Sequence, residues 1–140
     1  MKECIFCKLI AGELPSFRVY EDQDFVAFLD IHPVATGHTL VVPKAHSHDI
    51  EDTAEEVFVE LMKRVKKIGQ AMAKALGVPG YNVGINNGRS AGQLVDHIHA
   101  HIIPRKGEGD GLLPWPGREK VAEEELAEIA ERIRKQILRT

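Results

Sequence analysis

Cysteine is nearly absent from this chain: of 140 residues only Cys4 and Cys7 are cysteines. Two are too few for the disulfide framework that staples small secreted domains. Long hydrophobic runs are missing too. Nothing approaches the ~18 consecutive apolar residues of a membrane span, and Met1-Lys2-Glu3-Cys4 opens no apolar signal core. The expectation is a soluble, cytoplasmic protein with no membrane partner. Positive charge is not in excess either. Lys+Arg number 18 against Asp+Glu 21, a formal net charge of −3, which argues against general nucleic-acid binding and leaves room only for a local nucleotide pocket. No internal repeat or low-complexity segment is found, and a chain of this length, 44% hydrophobic, suits one compact domain.

What the chain does have is histidine, seven in all, and three of them alternate. Residues 95–103 read Val-Asp-His-Ile-His-Ala-His-Ile-Ile, so His97, His99 and His101 take every second position with aliphatic groups between. In a strand this period of two places three imidazoles on one face and Ile98, Ala100 and Ile102 on the other. At about 3.3 Å per residue, His97 and His101 lie about 13 Å apart. With metal–nitrogen bonds of about 2.0–2.1 Å the whole row cannot bind one ion. At most two neighbours share a metal, and the row serves two sites.

Cys-Ile-Phe-Cys at residues 4–7 leaves metal binding, redox chemistry or inert packing open, although no strand precedes it as a thioredoxin-like motif requires. Residues 4–11 read as a short helical turn ending at Gly12. Strands are expected at 18–21 and 25–29 around Asp22-Gln23-Asp24, then at 39–43, 81–86 and 95–103. Between residues 52 and 76, apolar residues at Val57, Phe58, Leu61, Val65, Ile68, Met72, Ala75 and Leu76 have helical spacing. Thr53 with Glu56 suggests a capping box at its start, and Gly77 with Pro79 a stop. A second amphipathic helix is expected over 119–139, with Val121, Leu126, Ile129, Ile133 and Ile137 on one side, packed on the domain or on a partner. The Gly-rich stretch 107–111 lacks the context of a phosphate loop and reads as a connector. One long helix cannot supply the crossovers of a parallel sheet, so the class is α+β with a five-stranded, largely antiparallel sheet. His32 and His48 read as ordinary polar contacts.

The pattern His97-Ile98-His99-Ala100-His101-Ile102-Ile103 resembles the signature of the histidine triad (HIT) superfamily. Cys4–Lys8, Ala27-Phe28-Leu29-Asp30-Ile31, the segment 37–44 and Ala91-Gly92-Gln93 match its Hint-like bacterial and archaeal branch in order and spacing. The resemblance implies a HIT-like fold over 1–110, followed by a C-terminal tail and helix over 111–140. It implies a nucleotidyl hydrolase or transferase cleaving at the α-phosphate of a purine nucleoside phosphate derivative, such as an adenosine phosphoramidate. His99 would be the nucleophile, its second ring nitrogen donating to the His97 carbonyl, and a nucleotidyl-histidine intermediate would then be cleaved by water. His38 and His101 would contact phosphate, Asn86 and Gln93 would supply amide contacts, and Asp30 would accept the ribose hydroxyls. Phe6, Phe28, Ile31 and Leu40 are apolar candidates around the base, with core packing the equal alternative for each.

The same resemblance implies a structural Zn²⁺ on Cys4, Cys7, His46 and His97, no need for Mg²⁺, and a homodimer, with Trp115 approaching the partner's site or anchoring the tail. Leu94 departs from the Ser or Thr frequent in relatives and has no donor to offer. Three other readings remain to be weighed: a dinucleoside polyphosphate hydrolase, a nucleotide-binding interaction module with incidental catalysis, and a catalytic metal centre built on the triad.

Overall fold

The computed structural model describes residues 4–109 and 120–139. The chain runs α1 (Ile5–Ile10), β1 (Arg18–Glu21), β2 (Phe25–Leu29), β3 (Thr39–Pro43), α2 (Glu55–Leu76), β4 (Gly80–Gly84), a 3₁₀ turn (Arg89–Ala91), β5 (Ala100–Arg105) and α3 (Glu123–Leu138). The five strands form one sheet in the order β1-β2-β3-β5-β4, every neighbouring pair antiparallel. This is the α+β architecture expected from the single long helix. Trp115 and the last two residues of the expected Gly-rich connector, 110 and 111, lie outside the described residues.

Alternation divides the sheet into two apolar faces. Phe25, Ala27 and Leu29 of β2, Val41 of β3 and Ala100 and Ile102 of β5 join Leu61, Val65, Ile68 and Met72 of α2 in the main core. Leu126, Ile129, Ile133 and Ile137 of α3 complete that core, so the C-terminal helix packs on the domain. On the opposite face Val26, Phe28, Leu40 and Val42 meet Phe6 of α1 in a smaller cluster. His101, opposite Leu40 in the β3–β5 register, projects on that second face. The two long helices, α2 and α3, therefore cover one side of the sheet, and the histidines occupy the other with α1.

Several boundaries differ from the sequence reading; α3, expected over 119–139, starts only at Glu123 after the extended Ala122. The histidine strand starts at Ala100, not at residue 95, because β3 ends at Pro43, which has no N–H for the ladder. Upstream of Ala100 the chain leaves β3, and Ile98 N–H donates to Ser47 O at 2.9 Å instead. Likewise β4 stops at Gly84. The capping box before α2 does not form: Ala54 is the N-cap, and the Thr53 hydroxyl donates to Asp49 O at 2.6 Å. A hydroxyl committed to the preceding loop is not available to the first turn of the helix. The stop at Gly77 is as expected, in the left-handed conformation at φ 67°.

Asp22 locks the β1–β2 turn to α2. Its Oδ1 accepts the N–H groups of Asp24 and Phe25, both at 2.8 Å, while Oδ2 accepts Tyr20 O–H at 2.6 Å and Arg64 Nε–H at 3.0 Å. Burial alone would push this carboxyl up, but the Tyr20 hydroxyl, the two backbone donors and Arg64 together lower it from 3.8 to about 2. The unfolded group titrates near the higher value, so this contribution is complete above pH about 4 and lost as pH falls through about 2. Asp22→Asn is expected to cost about 1–2 kcal/mol by urea denaturation at pH 7. The difference from wild type should shrink steadily when the titration is repeated from pH 4 down to pH 2.

Candidate functional site

Residues 97–101 carry three buried imidazoles, 0%, 7% and 6% exposed at His97, His99 and His101, and each ring is oriented by a different partner. A carbonyl can only accept, so two of the rings have a defined tautomer. His97 Nε2–H donates to Pro43 O at 2.8 Å, leaving Nδ1 as a lone-pair donor. His99 Nδ1–H donates to His97 O at 2.7 Å, leaving Nε2 with the lone pair. Burial pushes His99 below the ordinary 6.5, against the opposing pull of the His97 carbonyl and Asp30. At neutral pH this ring is an uncharged imidazole whose free nitrogen is a nucleophile.

His38 reaches the same site from the start of β3. A backbone N–H can only donate, so Val34 N–H at 3.1 Å makes His38 Nδ1 the acceptor. In the neutral ring Nε2 then carries the proton and faces His101 Nδ1 at 2.9 Å. The proton of a neutral His101 is thereby placed on Nε2. The His99 and His101 rings lie 4.9 Å apart, so a lone pair and an N–H donor stand side by side. Asp30 Oδ2 lies 3.8 Å from His38 Nδ1, and Asp30 Oδ1 accepts His32 N–H at 2.9 Å.

The first histidine turns to a separate cluster. His97 Nδ1 is 3.5 Å from Cys4 Sγ and 3.7 Å from Cys7 Sγ, and His46 Nδ1 is 3.3 Å from Cys7 Sγ. One ligand atom from each of Cys4, Cys7, His46 and His97 lies within 4.8 Å of all the others, close enough to hold a metal ion. Cys4 is also the N-cap of α1, its sulfur accepting Cys7 N–H at 3.4 Å. Burial and the adjoining Cys4 push the Cys7 thiol up, while burial lowers His97 to about 4 and His46 below 6.5. Two crowded sulfurs and two neutral imidazole lone pairs form a donor set that a cation would complete.

The remaining expected site residues divide by exposure. Phe6, Phe28 and Leu40 are buried in the second apolar cluster, whereas Ile31 is 53% exposed beside Asp30. Asn86 stands next to Gly92, where a Cβ would lie 3.5 Å from its amide nitrogen. Gln93 is turned inward: Nε2 donates to His48 O at 2.6 Å and Val95 O at 2.9 Å, and Oε1 accepts Gly88 N–H at 2.8 Å. Both of its donors hold the loop before the histidines, so its contribution is to shape that loop. Leu94 is 75% exposed. His32 and His48 are exposed and outside the cluster.

The sequence reading missed Val34 and Pro43, whose backbone groups orient His38 and His97. Side-chain patterns carry no signal for such roles, because any residue at those positions supplies the carbonyl and any but proline the N–H.

The HIT domain family model matches residues 11–108. An adenosine 5'-monophosphoramidase of Schizosaccharomyces pombe is 41% identical over 135 residues, covering 96% of this chain and 98% of that protein. A HIT-like protein of Methanocaldococcus jannaschii is 53% identical over 108 residues, 77% of this chain and 82% of that one. The crystal structure of a Zn-bound histidine triad family protein from Mycobacterium smegmatis has a TM-score of 0.86 at 34% identity, covering 99% and 95%.

Replacing Gln93 by Ala strands three backbone groups of the loop at once. Gln93→Ala is expected to lower stability by about 1–3 kcal/mol, read by chemical denaturation. Restoring the amide with Asn, whose shorter side chain cannot span the same carbonyls, should recover little of it.

Proposed function

The chain belongs to the HIT domain family, and on that premise we propose that it is a hydrolase that cleaves purine nucleoside phosphoramidates at the α-phosphate, with His99 as nucleophile. The observation that carries this reading is the 2.7 Å bond from His99 Nδ1–H to His97 O, which directs the Nε2 lone pair of a neutral ring away from the backbone. Attack by Nε2 forms an N–P bond and breaks the bond to the leaving amine, which takes up a proton from solvent as it departs. Water then cleaves the nucleotidyl-imidazole, yielding the nucleoside monophosphate and the free histidine. Negative charge gathers on the phosphoryl oxygens in both steps, and the N–H of His101, backed by His38, is a donor beside the nucleophile. Asp30 would take the ribose hydroxyls, Asn86 a phosphate or leaving-group contact, and exposed Ile31 the base, with Phe6, Phe28 and Leu40 forming the apolar floor behind it. The relative from Schizosaccharomyces pombe, named as an adenosine 5'-monophosphoramidase, supports the choice of substrate class.

The metal of the second cluster is read as Zn²⁺, bound by Cys4, Cys7, His46 and His97. Zn–S bonds of about 2.3 Å and Zn–N bonds of about 2.0–2.1 Å at tetrahedral angles separate sulfur from nitrogen by about 3.6 Å. The observed separations of 3.3, 3.5 and 3.7 Å fit that edge. A closed set of four protein ligands supplies structural cross-linking. The ion would tie α1 to the ends of β3 and β5, and the hydrolytic steps belong to the histidines on the other side of His97. We also read residues 1–110 as the HIT domain and 111–140 as its C-terminal extension, in a cytoplasmic homodimer with no requirement for Mg²⁺.

His99→Ala is expected to reduce hydrolysis of adenosine phosphoramidate by a factor on the order of 10⁴ or more while AMP still binds by calorimetry. Turnover surviving in that variant would refute the assignment, and absence of turnover by the wild type on this and related nucleotide derivatives would favour a binding module. Atomic absorption should find one zinc per chain, lost in Cys4→Ala.

A further inference from the structure

The His38 ring has two nitrogen edges, and they face different parts of the site. Its Nε2–H points to His101 Nδ1 at 2.9 Å, on the side read as taking the phosphate. Its Nδ1 accepts Val34 N–H at 3.1 Å, on the side of the loop that joins β2 to β3. That loop begins at Asp30, read as the ribose ligand, and Ile31, read as lining the base. Phosphate contact uses only the first edge.

The loop is folded inward onto the second edge. Asp30 N–H donates to His38 O and His38 N–H to Ala35 O, both at 2.9 Å, so the residue closes the loop through its backbone as well. The returning arm is fixed independently of the ring. Gly37 adopts φ 101°, and a Cβ there would stand 2.4 Å from Leu76 Cδ1 and 3.4 Å from Pro104 Cγ, so the bare glycine lets the chain lie directly on α2 and β5. The outgoing arm has a different anchor. Val34 is 9% exposed, and its backbone N–H is the one that donates to the imidazole. Two residues earlier, His32 N–H donates to Asp30 Oδ1 at 2.9 Å and orients that carboxylate. Loss of the acceptor for Val34 strands a buried donor and loosens the arm that aims Asp30 and presents Ile31.

We propose that His38 is a positioning residue for nucleoside recognition: its Nδ1 edge holds the outgoing arm of the 30–37 loop and so sets the grip of Asp30 and Ile31 on the nucleoside, while its Nε2 edge serves the phosphate. The inference rests on the reading of this site as one for a purine nucleoside phosphate derivative. It goes beyond a phosphate contact, because it gives His38 a share in binding a ligand that has no phosphate.

Adenosine, which carries no phosphate, separates the two edges. Asn at this position offers an acceptor oxygen about where Nδ1 stands but nothing that reaches His101, whereas Gln offers an amide N–H about where Nε2 stands but no acceptor for Val34. Wild type, His38→Asn and His38→Gln are compared by calorimetry with adenosine, by kcat on adenosine phosphoramidate and by hydrogen exchange at the Val34 amide. His38→Gln is expected to weaken adenosine binding about tenfold and to speed Val34 exchange. His38→Asn should bind adenosine within about threefold of wild type and keep Val34 protected, yet lose kcat about a hundredfold, more than His38→Gln. Adenosine affinity unchanged in His38→Gln overturns the proposal, and so does an equal loss in both variants, the signature of packing alone. If neither variant folds, exchange in the wild type decides: saturating adenosine is expected to slow it at Val34 by about threefold or more, and no slowing overturns the proposal. A wild type that binds no adenosine and turns over no phosphoramidate overturns instead the reading of the site itself.

Discussion

Residue 97 is the point on which the rest of the site depends, because it makes three directed interactions with three different groups. Its Nε2–H is held by the Pro43 carbonyl at 2.8 Å, its Nδ1 faces Cys4 and Cys7, and its own carbonyl accepts His99 Nδ1–H at 2.7 Å. Each of these removes a rotational or tautomeric freedom. Together they convert a flexible segment just ahead of β5 into a rigid bracket between a donor cluster and a nucleophile.

The bracket works because the sheet presents two unlike faces. One is covered by α2 and α3 and contains the bulk of the apolar core. Among the described residues the other bears a small apolar cluster, closed by Phe6, and this is the face on which His38 and His101 meet and His99 is walled in. Burial there keeps His99 uncharged without removing it from reach, since some of its surface remains open. A nucleophilic imidazole needs both conditions, a free lone pair and access. The large core supplies the rigidity that makes small distances on the far face reproducible.

Legibility varied with the kind of signal. The period-two row at His97, His99 and His101 and the 3.6-residue spacing of α2 were readable because side-chain burial repeats with the backbone. The start of β5 was not. The extended, alternating pattern begins at residue 95, but hydrogen bonding to β3 begins at Ala100, after a proline and a ring have taken the last places on that strand. Thr53 shows the same limit: its type favours a helix cap, yet the hydroxyl bonds Asp49 O, a competition between two local partners that only packing resolves. Gln93 was placed in the site by its position, and its donors turn out to hold the loop.

The sequence by itself determined the class of fold, the family, and the division of the histidine row, since a strand is too long for three alternate imidazoles to share one ion. It also located Cys4 and Cys7 as a pair with metal-binding spacing. Only the tertiary structure decided which nitrogens of His38 and His97 carry a proton, because Val34 and Pro43 act through backbone groups that nearly every residue type offers alike. It alone brought Phe6 against His99, across more than ninety residues of chain. Local pattern specifies what a residue can do, whereas the identity of its neighbour is settled only when distant segments are packed against one another.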